Sequence, residues 1–166
     1  MKMLWNSLYF SAVQFSEKLS TICHIYHKTD LTHVKSFDLP PFYSYHFTNG
    51  FCEDNKIILQ FFKYDPTSTQ SLFEMLFYIP KYTQGENKIF KGCSALSELS
   101  IDLDDFKYKM EDKEIHGEFP VCSDSLIGKK FRYSYMSVSS KPDELLYLDG
   151  VCQYDREKKE TKILHE

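Results

Sequence analysis

The sequence is poor in arginine and lacks the common catalytic and nucleotide-binding motifs. Only two of its 20 basic residues are arginines, Arg132 and Arg156, and the net charge is −4 with both signs mixed along the chain. Binding to a nucleic-acid backbone requires a basic stripe, which this sequence does not have. It also has no G-x-S-x-G, P-loop or G-x-G-x-x-G motif, which disfavours nucleophile-elbow hydrolysis and standard nucleotide binding.

Paired cysteines and long apolar runs are also absent. The five cysteines include no C-x-x-C pair, and residues 1–20 interrupt their apolar side chains with Asn6, Gln14 and other polar residues. This pattern favours a reduced, cytoplasmic chain without a signal peptide, a membrane span or a membrane partner. We therefore expect five free thiols, at Cys23, Cys52, Cys93, Cys122 and Cys152.

Aromatic residues are abundant, with fourteen Phe and twelve Tyr, which is typical of β-rich folds. Residues 1–20 place Leu4, Leu8, Phe15 and Leu19 at helical spacing, which predicts an N-terminal α-helix. Alternating runs predict strands over 21–27, 43–48, 57–64, 73–79, 88–95, 106–110, 114–119, 131–138, 144–148, 151–154 and 162–165. Strands at this spacing point to an antiparallel barrel or sandwich. Because closure into a barrel would remove exposed sheet edges, we expect an all-β fold, an antiparallel calyx-like β-barrel of about ten strands with that helix, as a single domain over residues 1–166.

The strand predicted over 131–138 carries the best ligand-binding candidate. Phe131, Tyr133 and Tyr135 alternate there with polar side chains that include Arg132. A guanidinium binds carboxylates bidentately and a tyrosine offers a flat face with a hydroxyl, so this strand is suited to a planar anionic ligand. The alternative is a salt bridge at the rim of the sheet, which is the commoner role of such an arginine.

Metal chemistry has weaker support. The best candidate is the segment Cys23-His24-Ile25-Tyr26-His27. On a strand, Cys23 and His27 share one face and His24 points to the other, so the segment supplies two ligands at most. Further ligands would have to come from His46 or Cys52 by tertiary packing. We therefore predict no metal site, and no residue is marked as catalytic.

Several short motifs follow one another in a characteristic order. They are Leu8-Tyr9-Phe10-Ser11-Ala12-Val13-Gln14-Phe15, Phe90-Lys91-Gly92-Cys93, Val121-Cys122 with Gly128-Lys129-Lys130-Phe131-Arg132-Tyr133, Leu148-Asp149-Gly150 and Tyr154-Asp155. In this order they resemble the T-type phycobiliprotein lyases, the CpcT/CpeT group. The short, lysine-rich chain would suit a member encoded by a cyanophage.

The resemblance implies a ligand, partners and a set of binding residues. It implies a linear tetrapyrrole of the phycoerythrobilin type as ligand or substrate, a phycobiliprotein subunit as partner, no prosthetic group, and a role as chromophore lyase or chaperone in phycobilisome biogenesis. The location would be the cyanobacterial cytoplasm, and a homodimer is left open. The implied binding residues are Arg132 with Lys130 or Arg156 for the propionates, Asp149 or Asp155 for the pyrrole nitrogens, Tyr45, Tyr133 and Tyr135 as aromatic walls, and Gln60.

Two other classes of function remain open at this point. A lipocalin-like carrier of a small molecule would use the same barrel without an acceptor protein. A non-enzymatic interaction protein would fill its barrel with the aromatic side chains and present the acidic segment 98–118 as its contact surface. Bilin binding without transfer is a third outcome. The T-type lyases generally carry an arginine-rich strand at this point of the sequence, whereas residues 56–62 here contain no arginine.

Overall fold

The computed structural model describes residues 15–82, 91–144 and 147–165. In this part of the chain there are ten β-strands, one α-helix and one short 3-10 helix, Asp124–Leu126. The helix is α1 (Pro66–Tyr82). The strands are β1 (Thr21–Tyr26), β2 (His33–Leu39), β3 (Phe47–Glu53), β4 (Lys56–Tyr64), β5 (Ser94–Asp102), β6 (Tyr108–Asp112), β7 (Gly117–Val121), β8 (Tyr133–Val138), β9 (Gly150–Asp155) and β10 (Glu160–His165).

The strands form three separate antiparallel sheets within the described residues. Strands β1 and β2 form a two-stranded ribbon, β3 to β6 form sheet 1, and β7 to β10 form sheet 2. In both four-stranded sheets each strand pairs with its neighbour in the chain. Four-stranded sheets of this kind are the blades from which β-propellers are built.

Sheet 1 is the middle layer of the structure because both of its faces are covered. Phe61 and Phe62 are neighbours on β4 and point to opposite faces of the sheet. Phe61 belongs to a first core with Ile25 and Leu39 of the ribbon. Phe62 belongs to a second core with Met136, Val138, Cys152 and Tyr154 of sheet 2. The ribbon, sheet 1 and sheet 2 therefore follow one another as stacked layers.

Helix α1 overturns the strand predicted over 73–79. Asp65 caps the helix, since its Oδ1 accepts a hydrogen bond from the main-chain N–H of Ser68 at 2.7 Å. Pro66 occupies the first helical position, where its missing N–H costs nothing. A short apolar run fits a strand and a buried helix equally well, and the Asp-Pro pair before it starts the helix.

The predicted calyx-like barrel is wrong. Its alternating runs do form antiparallel strands, but each strand pairs only with its chain neighbours, and the sheets then pack face to face instead of closing on one another. The predicted N-terminal helix falls mostly on residues 1–14, outside the described residues, and residues 15–20 form a turn. All five cysteines are free thiols, as expected. The described residues contain no helix with the length and apolarity needed to cross a membrane.

Candidate functional site

A histidine and a buried glutamate meet where the first strands of the two four-stranded sheets lie side by side. His46 immediately precedes β3, and Glu118 belongs to β7. His46 Nδ1 is 2.8 Å from Glu118 Oε2, and the Glu118 side chain is 2% exposed while that of His46 is 43% exposed. A carboxylate at Nδ1 fixes the tautomer and orientation of the ring and leaves Nε2 for a ligand.

The main chain around His46 is fixed by sheet 1. The His46 carbonyl accepts a hydrogen bond from the Phe62 N–H at 3.1 Å. Immediately after it, the register of β3 against β4 shifts between Phe47 and Asn49. A bulge of this kind is a common means of re-aiming a side chain next to a functional site. It occurs here one residue beyond His46.

The main chain around Glu118 departs from regular strand geometry. The register of β7 against β8 shifts between Glu118 and Val121, and Phe119 has a φ of 55°. A left-handed conformation is unfavourable for a residue with a side chain and is often kept at functional sites. It lets the Phe119 N–H donate to Glu118 Oε2 at 3.2 Å and brings the Phe119 ring to 5.0 Å from the His46 ring.

Two unsatisfied polar atoms lie at the buried end of this pair. Glu118 Oε1 and the Tyr64 hydroxyl are buried without a hydrogen-bond partner among the described residues. Burial and the nearby Glu118 carboxylate raise the pKa of Tyr64, so its phenol stays protonated. Unpaired buried polar groups cost free energy, which is typical of a site kept for function and not for stability.

Arg132, the leading ligand-binding prediction, is held by a carboxylate of its own sheet. Its Nε lies 3.1 and 3.0 Å from the two carboxylate oxygens of Asp155, and its Nη2 lies 2.7 Å from one of them. This contact lowers the pKa of Asp155 to about 2. The Arg132 side chain is 37% exposed and forms this salt bridge at one end of sheet 2, and its role in ligand binding stays a prediction.

Arg156 connects sheets 1 and 2. Its Nε and Nη2 donate to Glu98 Oε2 of β5 at 3.0 and 2.7 Å, and its Nη1 donates to the Phe131 carbonyl at 2.9 Å. The guanidinium carbon lies 4.5 Å from the Phe131 ring centroid and 5.2 Å from that of Phe51. Through these partners Arg156 links sheet 2 to β5 of sheet 1.

The other predicted binding residues are dispersed. Lys130 pairs with Glu53 at 2.6 Å, Asp149 accepts from the Ser140 N–H at 2.8 Å, and Gln60 is buried in sheet 1. Tyr133 and Tyr135 are partly exposed on β8, and the Tyr45 ring lies 5.9 Å from the His46 ring. Of the nine predicted residues, Arg132 and Asp155 contact each other directly. The nine residues as a ligand-binding set stay a prediction.

Sequence reasoning considered His46 only as a distant metal ligand and Glu118 only as part of the acidic segment 98–118. The two residues are 72 positions apart, and no spacing rule relates strands of different sheets. In the segment around Cys23, the structure packs Cys23 against the first core and leaves His24 exposed. The described residues contain no group of three or more His, Cys, Asp or Glu side chains that could hold a metal ion.

Comparison with solved structures finds apocarotenoid oxygenases and a chimera of one of them. A variant of Synechocystis apocarotenoid oxygenase (ACO) matches at 18% identity with a TM-score of 0.72, over 92% of this chain and 30% of the other. Cobalt-substituted Synechocystis ACO matches at 20% identity and a TM-score of 0.61, over 79% and 26%. An ACO/RPE65 chimera matches at 20% identity and a TM-score of 0.60, over 79% and 26%. The chain thus has the fold of a part of these proteins and spans between a quarter and a third of their length.

Together with the family match given below, these matches correct the functional expectations drawn from the T-type lyases. The bilin ligand, the phycobiliprotein partner and the lyase or chaperone role are wrong, and the lipocalin-like carrier has no support. The expectation of no prosthetic group is contradicted as well, because the family identified by the match given next consists of iron-dependent oxygenases. A search of curated protein sequences finds no match. A family model described as "RPE65: Retinal pigment epithelial membrane protein" matches residues 2–165. Because this match covers nearly the whole sequence, the chain belongs to the RPE65 family.

Proposed function

We propose that this chain forms part of the metal centre of an oxygenase that acts on apocarotenoids, with His46 as a metal ligand and Glu118 as the residue that positions it. The His46–Glu118 contact carries the proposal. It pairs a half-exposed imidazole with a carboxylate that is 2% exposed. Oxygenases of this family depend on iron, and a cobalt-substituted relative is among the matched structures.

The donor chemistry of His46 fits such a metal. Imidazole nitrogen suits iron and cobalt, and a ligating histidine almost always gives its other ring nitrogen to a carboxylate or carbonyl. Here that nitrogen is Nδ1, 2.8 Å from Glu118 Oε2. Since the described residues hold no group of three or more His, Cys, Asp or Glu side chains suited to a metal ion, a metal at His46 needs further ligands from outside these residues.

Each neighbour of His46 has a distinct task. When bound, the metal supplies the redox centre for the oxygen chemistry. Glu118 accepts a hydrogen bond from Nδ1–H and so holds Nε2 as the metal-binding nitrogen. Phe119 packs against the His46 ring at 5.0 Å and restricts its rotation. Tyr64, kept protonated by burial beside Glu118, adds no second negative charge to the buried side of the pair.

The surroundings of His46 suit an apolar substrate. Tyr45, Phe47 and Phe119 flank it, and their side chains are 40%, 55% and 54% exposed. Exposed aromatic rings next to a polar group provide the walls of a site for a largely apolar molecule with one oriented end. An apocarotenoid, the substrate class named for the matched oxygenases, has this character.

A Co²⁺ titration followed by NMR tests the proposal on the full chain. We expect paramagnetic shifts at the ring signals of His46 and Phe119. Glu118→Gln keeps the shape of the side chain but presents a neutral amide to His46 Nδ1, so we expect Co²⁺ affinity at His46 to fall by about 10- to 100-fold. His27→Ala, which removes an exposed histidine in the loop between β1 and β2, is the matched control and should leave these shifts unchanged. Unshifted His46 and Phe119 signals at saturating Co²⁺, or equal affinities for wild type and Glu118→Gln, would reject the proposal.

A further inference from the structure

Two histidines on the outer face of the ribbon converge on a single oxygen atom. His24 Nδ1 lies 2.7 Å from Ser36 Oγ, and His33 Nε2 lies 2.7 Å from the same oxygen. Neither histidine takes part in the site around His46, so this cluster stands independently of the function proposed above.

The pairing of β1 with β2 produces this arrangement. His24 lies opposite Ser36, and Tyr26 lies opposite His33 after a register shift between Ile25 and Tyr26. Ile25 is buried in the first core, so the side chains on either side of it in β1 point outward. The bulge brings His33 one position closer along the ribbon, and both imidazoles thereby reach Ser36.

Aromatic packing holds the two imidazoles in place. The centroids of the His24 and His33 rings are 6.5 Å apart at an interplanar angle of 62°. The Tyr26 ring lies edge-on to His33, with the centroids 5.3 Å apart, and 6.3 Å from the ring of His24. The three rings thus form one exposed cluster whose two inward nitrogens face each other across the serine oxygen.

The distance between the two imidazole nitrogens of this cluster is close to what a metal ion can bridge. A serine hydroxyl has one proton, so it donates to one imidazole nitrogen and must accept an N–H from the other. Because both nitrogens lie 2.7 Å from one atom, they are at most about 5.4 Å apart. A metal ion with bonds of about 2.0–2.1 Å to imidazole spans up to about 4 Å between two nitrogens. Each ring would therefore have to move by less than about 1 Å for both nitrogens to bind the same ion.

We propose that His24 and His33 form a surface site for a divalent late transition-metal ion, which takes the position of the Ser36 hydroxyl. Imidazole ligands favour Cu²⁺, followed by Ni²⁺ and Zn²⁺. Both protein ligands come from one antiparallel pair of strands, and water fills the remaining coordination positions. A bound ion crosslinks β1 to β2 at the bulge, where main-chain pairing is interrupted, and so stabilises the ribbon against fraying.

The test is a Cu²⁺ titration of the His46→Ala variant by calorimetry and electron paramagnetic resonance. This background removes the other proposed ligand, so the two proposals fail separately. We expect one bound Cu²⁺ with hyperfine coupling to two imidazole nitrogens. His24→Ala and His33→Ala should each lower the affinity at least about tenfold, whereas His27→Ala, in the loop between β1 and β2, should not change it.

Ser36→Ala separates the metal site from the hydrogen-bonded cluster. Removing the hydroxyl frees both nitrogens, so Cu²⁺ affinity should be kept or increased. Saturating Cu²⁺ should also raise the melting temperature by about 2–4 °C, the size of shift expected for modest binding to the folded state alone. Coupling to a single nitrogen, unchanged affinity in His24→Ala or His33→Ala, or loss of binding in Ser36→Ala would each overturn the proposal.

Discussion

Replacing Arg156 by alanine should cost several kcal/mol of folding stability. This side chain is 11% exposed and its partner Glu98 is 27% exposed, so the pair is largely removed from water. The substitution deletes both hydrogen bonds to Glu98, the one to the Phe131 carbonyl, and the contacts of the guanidinium with the rings of Phe51 and Phe131. It also leaves the Glu98 carboxylate without its cation.

The expected magnitude follows from these contacts. Hydrogen bonds to charged groups contribute about 1.5–3 kcal/mol, and a cation over an aromatic face adds about 0.5–2 kcal/mol. Because such contributions are not additive, the measured cost of removing one partner of a buried pair, about 3–5 kcal/mol, is the better guide. Glu98 keeps some contact with water, so we expect the lower end, about 3 kcal/mol.

Urea unfolding followed by circular dichroism measures this cost at constant m-value. Arg132→Ala is the matched control, because Arg132 is the other arginine and forms a more exposed ion pair; it should cost clearly less. Arg156→Lys should recover only part of the loss, since an ammonium cannot reproduce the guanidinium fork. A cost below about 1 kcal/mol for Arg156→Ala, the usual range of a surface ion pair, or equal costs for the two alanine variants, would refute the reasoning.

Three further predictions concern the second core, the loss of stability in acid and two glycines in the region of β7 and β8. Phe62→Ala, at a position with 0% exposure, should cost about 3–5 kcal/mol by chemical unfolding. Arg132 lowers the pKa of Asp155 from 3.8 to about 2, so the pair contributes stability above pH 3.8 that is lost as the pH falls through 2; Asp155→Asn should flatten this limb in acid titrations. A Cβ at Gly117 would lie 2.0 Å from a main-chain oxygen of β8, whereas one at Gly128 meets nothing within 4 Å. Thermal melts should therefore show a larger loss for Gly117→Ala than for Gly128→Ala, whose φ of +75° costs about 1–2 kcal/mol.

The alternation of polar and apolar residues along the chain predicts individual strands well, but it does not predict how the strands assemble into sheets. The strand predicted over 57–64 corresponds to β4 (Lys56–Tyr64), and the one over 151–154 lies within β9 (Gly150–Asp155). Strand β2 was missed because its polar and apolar residues do not alternate cleanly. Closure of a barrel and stacking of sheets produce the same period of two along a strand. The distinguishing feature is that β4 has buried residues on both faces, Phe61 and Phe62, which a barrel with one solvated face does not require.

The candidate site was beyond the reach of sequence patterns for a different reason. Glu118 lies in a predicted strand next to Phe119, where a carboxylate looks like an ordinary solvent-facing residue. Its 2% exposure follows from a left-handed Phe119 and a register shift after Glu118, neither of which has a residue-type signal. A buried carboxylate needs a partner, so the burial of Glu118 is the observation that leads to His46.

The His46–Glu118 and Arg156–Glu98 contacts cross the same interface. His46 precedes a strand of sheet 1 and Glu118 belongs to sheet 2, while Glu98 belongs to sheet 1 and Arg156 follows a strand of sheet 2. Any displacement of one sheet against the other therefore changes both contacts, and the orientation of the His46 ring depends on the packing that Arg156 supports. We accordingly expect Arg156→Ala to weaken Co²⁺ binding at His46 under conditions where circular dichroism shows the variant to be folded, with no effect on Cu²⁺ bound by His24 and His33. NMR titration of the variant measures both, and an unchanged Co²⁺ affinity at His46 would show that the ring is positioned by Glu118 and Phe119 alone.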